Sequence, residues 1–340
     1  MEAYIVSNGI VAVLLMGLVA VVVAVRRSRM WSDAFAEIWL RRRGAVCVIA
    51  VYLVVALLDS IAWVGGMEGG QDAVARHQAQ SVIDRLFVGS QERSYSAPFA
   101  VTEFYGSAPL EHPGEHVLGT DLIGRDVLYL SLKGARVALL IGGLTSLLAI
   151  PLALLFGVPA GYFGGRLDDV VFFVMSTLAS MPGLLLLIAL IMVLGKSTLA
   201  ICFALAVTGW VGFCRVARGE TLKLRELEYV SAARALGVSE SRILMRHILP
   251  NLMHLVIITF VLMFSGLVLS EAILSWLGIG VNGSWGQMID QARNELSRDP
   301  VVWWNVSAAG AALFGLILSV NFVGDALRDT LDPRTVREAE

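Results

Sequence analysis

Seven long apolar stretches, separated by polar segments, dominate the chain. An α-helix needs about 20 apolar residues to cross a hydrocarbon core about 30 Å thick, and each stretch reaches that length. The pattern therefore predicts an all-α polytopic membrane protein. The predicted spans are Ile5–Val25, Ala45–Val64, Ala135–Val158, Val170–Leu194, Thr198–Ala217, Leu252–Trp276 and Val302–Ala326.

The distribution of lysine and arginine predicts the orientation of these spans. One side would hold segments 26–43, 159–168, 215–251 and the C-terminal tail, with seventeen basic residues, against eight on the other side. Cytoplasmic loops carry the excess of Lys and Arg, so the first side is expected to be cytoplasmic, with the N-terminus outside and the C-terminus inside. Ile5–Val25 is interpreted as a retained anchor and not a signal peptide, because no basic residue precedes it and its apolar core is long.

Composition agrees with a membrane protein. The 340 residues are 57% hydrophobic and 16% charged, whereas soluble domains are about a quarter charged. Membrane lipid is therefore the expected surrounding. No basic stripe interleaved with aromatic residues is present, so nucleic acid is not an expected partner. The three cysteines lack metal-ligand spacing, so no metal site is expected.

The segment Glu228–Asn251 is a patterned polar insertion between two apolar stretches. Small and apolar residues run at helical spacing up to Leu236, and Gly237 is the usual left-handed stop of a helix. Ser239 then offers an N-cap oxygen for a second short helix, which Pro250 is expected to end. The sequence therefore predicts two short helices joined by a tight turn. Its alanines would let another backbone approach closely.

Segment 66–134 is expected to form an extracytoplasmic insert or cap. At its end, Asp121, Arg125 and Asp126 would form a local ion cluster at the membrane surface. The alternative is a solvated helix entry with Thr120 or Asp121 as its N-cap, and that alternative explains most of the pattern.

The segment Glu228–Asn251 resembles the cytoplasmic loop of ABC-importer permeases. The family's pattern is Glu-Ala-Ala, three residues, Gly, nine residues, then Ile-x-Leu-Pro. Here Ser231, Ala232 and Ala233 precede Gly237 at that spacing, and Leu249-Pro250 close the pattern. Ser231 and His247 stand where the pattern has Glu and Ile, and both are familiar in the dipeptide/oligopeptide/nickel branch.

Further stretches in the same order resemble that branch, so the resemblance covers about residues 31 to 334. It implies a type I ABC-importer transmembrane fold with six core helices. Met1–Arg29 adds an extra N-terminal helix, and 66–117 is longer than usual. The stretches are LGTDLIGRDV (Leu118–Val127), AGYFGGRLDD (Ala160–Asp169), EAILSWLGIG (Glu271–Gly280), SWGQMI (Ser284–Ile289) and GDALRDTLDPR (Gly324–Arg334).

The resulting organisation has five parts. These are an N-terminal anchor (1–30), a basic entry with the first core helix (31–65), the extracytoplasmic insert (66–134), a five-helix permease core (135–326) that contains the cytoplasmic loop 215–251, and a cytoplasmic tail (327–340).

The resemblance implies a permease subunit of an ATP-driven importer in the inner membrane of a bacterium. It would move peptides or peptide-like solutes by coupling a partner's ATP hydrolysis to alternating access through loop 228–251. The chain itself is expected to be non-catalytic and to bind no cofactor. ATP and Mg²⁺ belong to one or two ATP-binding cytoplasmic subunits. A second permease and an extracytoplasmic substrate-binding protein complete the implied assembly.

The resemblance assigns two sets of site residues. Docking of the binding protein is assigned to segments 118–134 and 277–301, with Asp121, Arg125, Asp126 and Trp285. Coupling to the ATPase is assigned to Glu228, Ser231, Ala232, Ala233, Arg234, Gly237, Arg242, Arg246, His247, Leu249 and Pro250.

Two other functions stay open at the level of sequence. A secondary, ion-coupled transporter would need charged residues in mid-span and inverted repeats, and mid-span charge is nearly absent. A non-transport membrane assembly protein would give no reason for the pattern of Glu228–Asn251. The apolar spans do not identify the cargo among dipeptides, oligopeptides, metal chelates and antibiotic peptides.

We predict that Gly237→Asp leaves the protein in the membrane but uncouples uptake from ATP hydrolysis, because the substitution alters the turn on which the two short helices depend. Membrane fractionation, substrate uptake and ATP hydrolysis measure the three parts of this prediction. Normal uptake by the variant would rule out the coupling role of the turn.

Overall fold

The computed structural model describes residues 29–63 and 80–331. The predicted span Ile5–Val25 lies outside the described residues. The elements, in chain order, are α1 Arg29–Ser60, β1 Ala62–Trp63, β2 Gln80–Ser81, α2 Val82–Leu86, α3 Val127–Phe163, α4 Gly165–Ser180, α5 Gly183–Leu194, α6 Thr198–Leu224, α7 Glu228–Ala235, α8 Glu240–Ile243, a π-turn Leu244–Ile248, a 3-10 turn Leu249–Leu252, α9 Met253–Trp276, α10 Trp285–Glu295 and α11 Trp304–Leu331.

The structure confirms an all-α polytopic protein. Within the described ranges, five helical stretches are long and apolar enough to cross a membrane, and a bent pair of helices supplies a sixth candidate. Most extend beyond the predicted limits, because apolar windows mark only the part of a helix that lies in hydrocarbon. The five stretches are Ile38–Ser60, Val127–Phe163, Thr198–Leu224, Glu240–Trp276 and Trp304–Thr330.

The predicted span Val170–Leu194 is broken into α4 and α5, which meet at an angle of 94°. Met181, between them, has an extended backbone (φ −85°, ψ 139°), because the residue before a proline is driven out of the helical region. Pro182 follows it and precedes α5. In contrast, α3 runs through Pro151 and Pro159 as one helix.

If the other apolar stretches each cross the membrane once, the contacts of the insert require the bent pair to cross once as well. The insert reaches α10 directly, through the hydrogen bond that the Tyr95 hydroxyl donates to Glu295 (3.2 Å), so both lie on one side. One span, Glu240–Trp276, separates α10 from α7, which therefore lies on the other side. An odd number of crossings must then separate the insert from α7. Since α3 and α6 supply two, the bent pair supplies the third.

Among the described residues, those in 29–63, 80–139 and 271–331 form one compact unit, and Trp285 lies in its interior. The Trp285 indole donates a hydrogen bond to the Ser131 carbonyl (2.8 Å). A Cβ at Gly134 would lie 2.3 Å from the same indole, so only glycine lets α3 pass there. Nearby, the Tyr52 hydroxyl of α1 donates to the Ala312 carbonyl of α11 (2.8 Å).

Residues 140–270 form the second unit, in which α3 and α6 pack backbone to backbone. A Cβ at Gly157 would lie 2.7 Å from the Cys214 carbonyl oxygen, and one at Gly161 would lie 2.5 Å from that of Arg218. Small residues let membrane helices approach in this way. The close contact fixes the end of α3 beside the end of α6, next to the segment 228–251.

Candidate functional site

Residues 228–251, called the hairpin below, form two helices joined at a left-handed glycine. Helix α7 ends at Ala235 with Leu236 as its C-cap, and Gly237 has φ +75°. The Gly237 amide donates to the Arg234 carbonyl (3.0 Å) and the Val238 amide donates to the Ala233 carbonyl (3.1 Å). These two bonds define a Schellman motif. The predicted glycine stop is therefore confirmed.

The start and end of the second helix differ from the sequence prediction. Ser239 occupies the N-cap position, yet within the described structure its side chain makes no capping hydrogen bond. Pro250 does not end the helix, since a π-turn and a 3-10 turn carry the chain from α8 into α9. Proline has no N–H and its ring clashes with the carbonyl four residues earlier. Local π and 3-10 geometry accommodates both effects without a stop.

An apolar cluster attaches the hairpin to α3. Side chains from both helices of the hairpin and from the following turns are buried together with Val158 and Tyr162 near the end of α3. Burial of this face orients the opposite face of the hairpin toward solvent. The hairpin members of the cluster are Val230, Ala233, Ile243 and Ile248, and Leu252, directly after the hairpin, also belongs to it.

Most of the predicted ATPase-coupling residues are accessible. Ala233 is buried in the cluster, and His247 and Leu249 are half-buried. The exposed ones are Glu228, Ser231, Ala232, Arg234, Gly237, Arg242, Arg246 and Pro250. Their contact with an ATPase stays a prediction.

Two exposed apolar side chains on the hairpin escaped the sequence reasoning. Leu236 is 84% exposed and Met245 is 69% exposed. Both side chains are therefore accessible to a partner. The sequence could have indicated their exposure, because both lie outside the helical spacing of the buried cluster. Leu236 precedes Gly237, and Met245 precedes Arg246.

The predicted cluster of Asp121, Arg125 and Asp126 separates into two different sites. Asp121 accepts two hydrogen bonds from the Arg125 guanidinium (2.9 and 2.7 Å) and one from the Ile123 amide (3.0 Å). These contacts close a turn over residues 121–125.

Asp126 caps α3, rather than Thr120 or Asp121. Its Oδ1 accepts from the Leu128 amide (2.7 Å), and its Oδ2 lies 2.8 Å from Nδ1 of the buried His116. Thr120 and Asp121 are themselves buried, so the helix entry is not solvated. The prediction of a solvated entry is therefore wrong.

A buried carboxylate fixes the loop that precedes this turn. Glu92 accepts hydrogen bonds from the amides of Glu111 (3.0 Å) and His112 (2.7 Å), and His116 lies 3.4 Å away. Burial raises the pKa of Glu92, but the hydrogen bonds and His116 together lower it by more than burial raises it. The net pKa of Glu92 is therefore below its usual range. The ionised carboxylate thus holds a loop that has almost no sheet structure.

A cleft of about 190 Å³ opens between the turn 121–125 and the end of α10. Glu295, 2% exposed, lies at its base and accepts hydrogen bonds from Asn305 (3.1 Å) and Tyr95 (3.2 Å). Burial raises the pKa of Glu295 by more than these hydrogen bonds lower it, so the net pKa of Glu295 is above its usual range. Burial and the charge of Glu295 raise the pKa of Tyr95 to about 12. Arg298 lies over the Tyr95 ring, 5.1 Å from its centre.

The predicted docking residues are mostly interior. Asp121, Asp126 and Trp285 are buried, and only Arg125 among the four is partly exposed. The exposed residues at the cleft are Leu122, Ile123, Asn294 and Arg298, which the sequence reasoning missed. The sequence feature that could have indicated this surface is the pair of apolar residues inside the turn that Asp121 closes. The docking role of this region stays a prediction.

Comparison with known proteins identifies relatives over most of the chain. Residues 153–337 match the family model described as "Binding-protein-dependent transport system inner membrane component". The oligopeptide transport system permease protein OppC of Bacillus subtilis is 35% identical over 223 residues, which are 65% of this chain and 72% of that protein. The dipeptide transport system permease protein DppC of the same organism is 34% identical over 226 residues, or 66% and 70%.

Two further matches extend this set. A putative peptide transport system permease protein of Brucella abortus is 39% identical over 231 residues, covering 66% of this chain and 76% of that protein. Among solved structures, an inward-facing MetNI methionine ABC transporter has a TM-score of 0.49 at 18% identity, over 60% of this chain and 97% of that one.

The buried carboxyl of Glu295 predicts a pH dependence of stability. Its pKa is raised in the folded state above the ordinary value of about 4.3. Its contribution to stability is therefore complete below that value and is lost as the pH rises through the raised pKa. We expect the apparent melting temperature of the detergent-solubilised protein to fall across that window, and to fall less in Glu295→Gln, whose amide does not ionise.

Asp299→Asn is the matched control for Glu295→Gln, because Asp299 is exposed and follows the same helix. Its pH profile should match that of the unmodified protein. Equal slopes for Glu295→Gln and the unmodified protein would show that Glu295 does not titrate with a raised pKa.

Proposed function

Because the chain belongs to the family of binding-protein-dependent transport system inner membrane components, it is a permease subunit of an ABC importer, and we propose that it imports peptides or peptide-like solutes. The relatives named as oligopeptide and dipeptide permeases support this cargo. Family membership also supports the type I importer fold and decides against the ion-coupled transporter and the assembly protein.

The observation that carries the mechanism is the two-sided hairpin. One face is buried against α3, while the other exposes Leu236, Met245 and three arginines. We propose that a groove of an ATPase subunit receives this exposed face, and that its motion reaches the spans through the buried face. The chain then needs no reactive group and no cofactor of its own, since ATP and Mg²⁺ are bound by one or two partner subunits.

Span counting supports a cytoplasmic C-terminus. Two spans, Glu240–Trp276 and Trp304–Thr330, follow α7, so the end of α11 lies on the same side as α7. If an ATPase subunit binds the hairpin, the side of the membrane that holds the hairpin is the cytoplasm. The insert is then extracytoplasmic. An N-terminus outside follows from the predicted span Ile5–Val25. Because two ATPases act on two hairpins, a second permease of similar design completes the pathway.

The insert and α10 supply the surface on which a substrate-binding protein would dock. The turn 121–125 and the end of α10 surround the cleft and present Leu122, Ile123 and Arg298. Apolar side chains beside a cation are suited to a protein partner with a matching acidic group. The buried Asp121 and Glu295 stabilise this surface through their hydrogen bonds to Arg125 and to Tyr95.

The importer function is tested by isolation of the intact complex. We expect the tagged chain, purified from its native membrane, to bring down an ATPase and a second permease. In liposomes with the binding protein, labelled dipeptides or oligopeptides should enter only with ATP and Mg²⁺ on the ATPase side. Recovery without any ATPase, or uptake driven by an ion gradient alone, would contradict the function, and uptake of free amino acids in place of peptides would contradict the cargo.

The docking surface is tested by charge reversal. We expect Arg298→Glu to weaken binding of the substrate-binding protein to the reconstituted complex about tenfold, which corresponds to ~1.4 kcal/mol, because a cation at the cleft becomes an anion. Surface plasmon resonance on nanodiscs measures this affinity. Arg93→Glu, an exposed charge reversal on the same insert away from the cleft, is the control. Equal affinities for the two variants would remove the cleft from the docking surface.

A further inference from the structure

A single hydroxyl group on α3 contacts both helices of the hairpin. Tyr162, at the end of α3, is buried, and its hydroxyl donates a hydrogen bond to Glu240, the first residue of α8. The same hydroxyl accepts a hydrogen bond from the Arg234 guanidinium of α7 (3.2 Å). Arg234 also lies over the Tyr162 ring, 5.5 Å from its centre, and its Nε lies 3.7 Å from Glu240. The three side chains therefore form a bracket across the Gly237 turn.

The end of α3 is itself fixed to α6. The Arg225 guanidinium donates to the carbonyl oxygens of Gly161 (3.1 Å) and Tyr162 (3.4 Å), which are among the last carbonyls of α3. A cation at this end of a helix satisfies free carbonyls and interacts favourably with the helix dipole. The contact of Gly161 with the Arg218 carbonyl adds a backbone restraint. Tyr162 thus projects from a rigid base.

The hairpin alone has little to hold its two helices at a fixed angle. Helix α7 contains eight residues, too few for an isolated helix to be stable in water, whereas α8 is the first turn of a helical stretch that continues to Trp276. The turn between them depends on Gly237, which has no described atom within 4 Å of the place a Cβ would occupy. The angle therefore depends on groups outside the turn, namely the apolar cluster and the Tyr162 bracket.

We propose that Tyr162 is a positioning residue that makes the hairpin and the end of α3 move as one body, through its bonds to Arg234 and Glu240. This inference rests on the proposed coupling role of the hairpin. A displacement applied to the exposed face of α7 is passed to α3 when the bracket is closed. When the bracket is open, the same displacement is absorbed by rotation at Gly237, and ATP is hydrolysed without import.

The test compares two tyrosines of the same hairpin region. Tyr162→Phe keeps the ring in the apolar cluster and removes only the hydroxyl. We expect the ATPase to copurify and ATP to be hydrolysed, while the number of peptides imported per ATP falls about fivefold to tenfold. Tyr229→Phe is the matched control, because the Tyr229 hydroxyl is bonded to Asn251 (3.1 Å) within the hairpin. It should keep the normal ratio.

A second variant separates positioning from a general loss of stability. Glu240→Ala removes the Tyr162–Glu240 hydrogen bond from the exposed side. It should lower the number of peptides imported per ATP, as Tyr162→Phe does. The double variant should be no worse than either single one, since both changes open one bracket. A normal ratio in Tyr162→Phe or in Glu240→Ala, or an equal loss in Tyr229→Phe, would overturn the proposal. Failure of the proposed function would appear differently, as absence of ATPase or of ATP-dependent import in the unmodified complex.

Discussion

The backbone contact between α3 and α6 is the interaction on which the arrangement of the hairpin depends. Gly157 and Gly161 remove the side chains that would otherwise separate the two helices. The helix ends are then close enough for Arg225 to reach the last carbonyls of α3, and Tyr162 is held where it meets α7 and α8. A wider spacing between α3 and α6 would leave both groups without their partners.

The opposite end of α3 is organised by buried polar groups instead of close packing. Asp126 caps the helix and is held by His116, which lies beside Glu92. Each carboxyl group has hydrogen-bond partners, as buried polar groups require. The insert thus gains a defined shape from side chains that bond to backbone amides, although its described part before α3 contains only one short helix and one two-residue strand.

The sequence carried the features that local physics determines. Apolar length predicted the spans, and Gly237 predicted the helix stop, because few residues other than glycine adopt its backbone conformation. The sequence did not separate Asp121 from Asp126, since both precede short polar and apolar runs that suit a cap. The choice between them depends on His116 and on the turn closed by Arg125, which are tertiary contacts. The sequence suggested that Trp285 is a surface aromatic. It is buried because Gly134 lacks the side chain that would occupy the place of its indole.

Prolines show the same division between local and tertiary causes. Pro182 separates two helices, whereas Pro159 lies within a continuous helix and Pro250 within a continuous path from α8 to α9. The local preference is similar at all three, and the neighbouring backbone decides the result. The Gly161 region beside Pro159 is held against α6, for example, so the chain has little room to turn away.

The exposure of Leu236 and Met245 has a consequence for the life of the subunit before assembly. On the proposed coupling role, a newly inserted chain presents these side chains until an ATPase covers them, and exposed apolar groups of this kind favour aggregation and recognition by quality-control proteases. The hairpin therefore also marks an unassembled subunit. Cells that make the permease in excess of its ATPase are expected to degrade the surplus, so that the abundance of the two subunits stays matched.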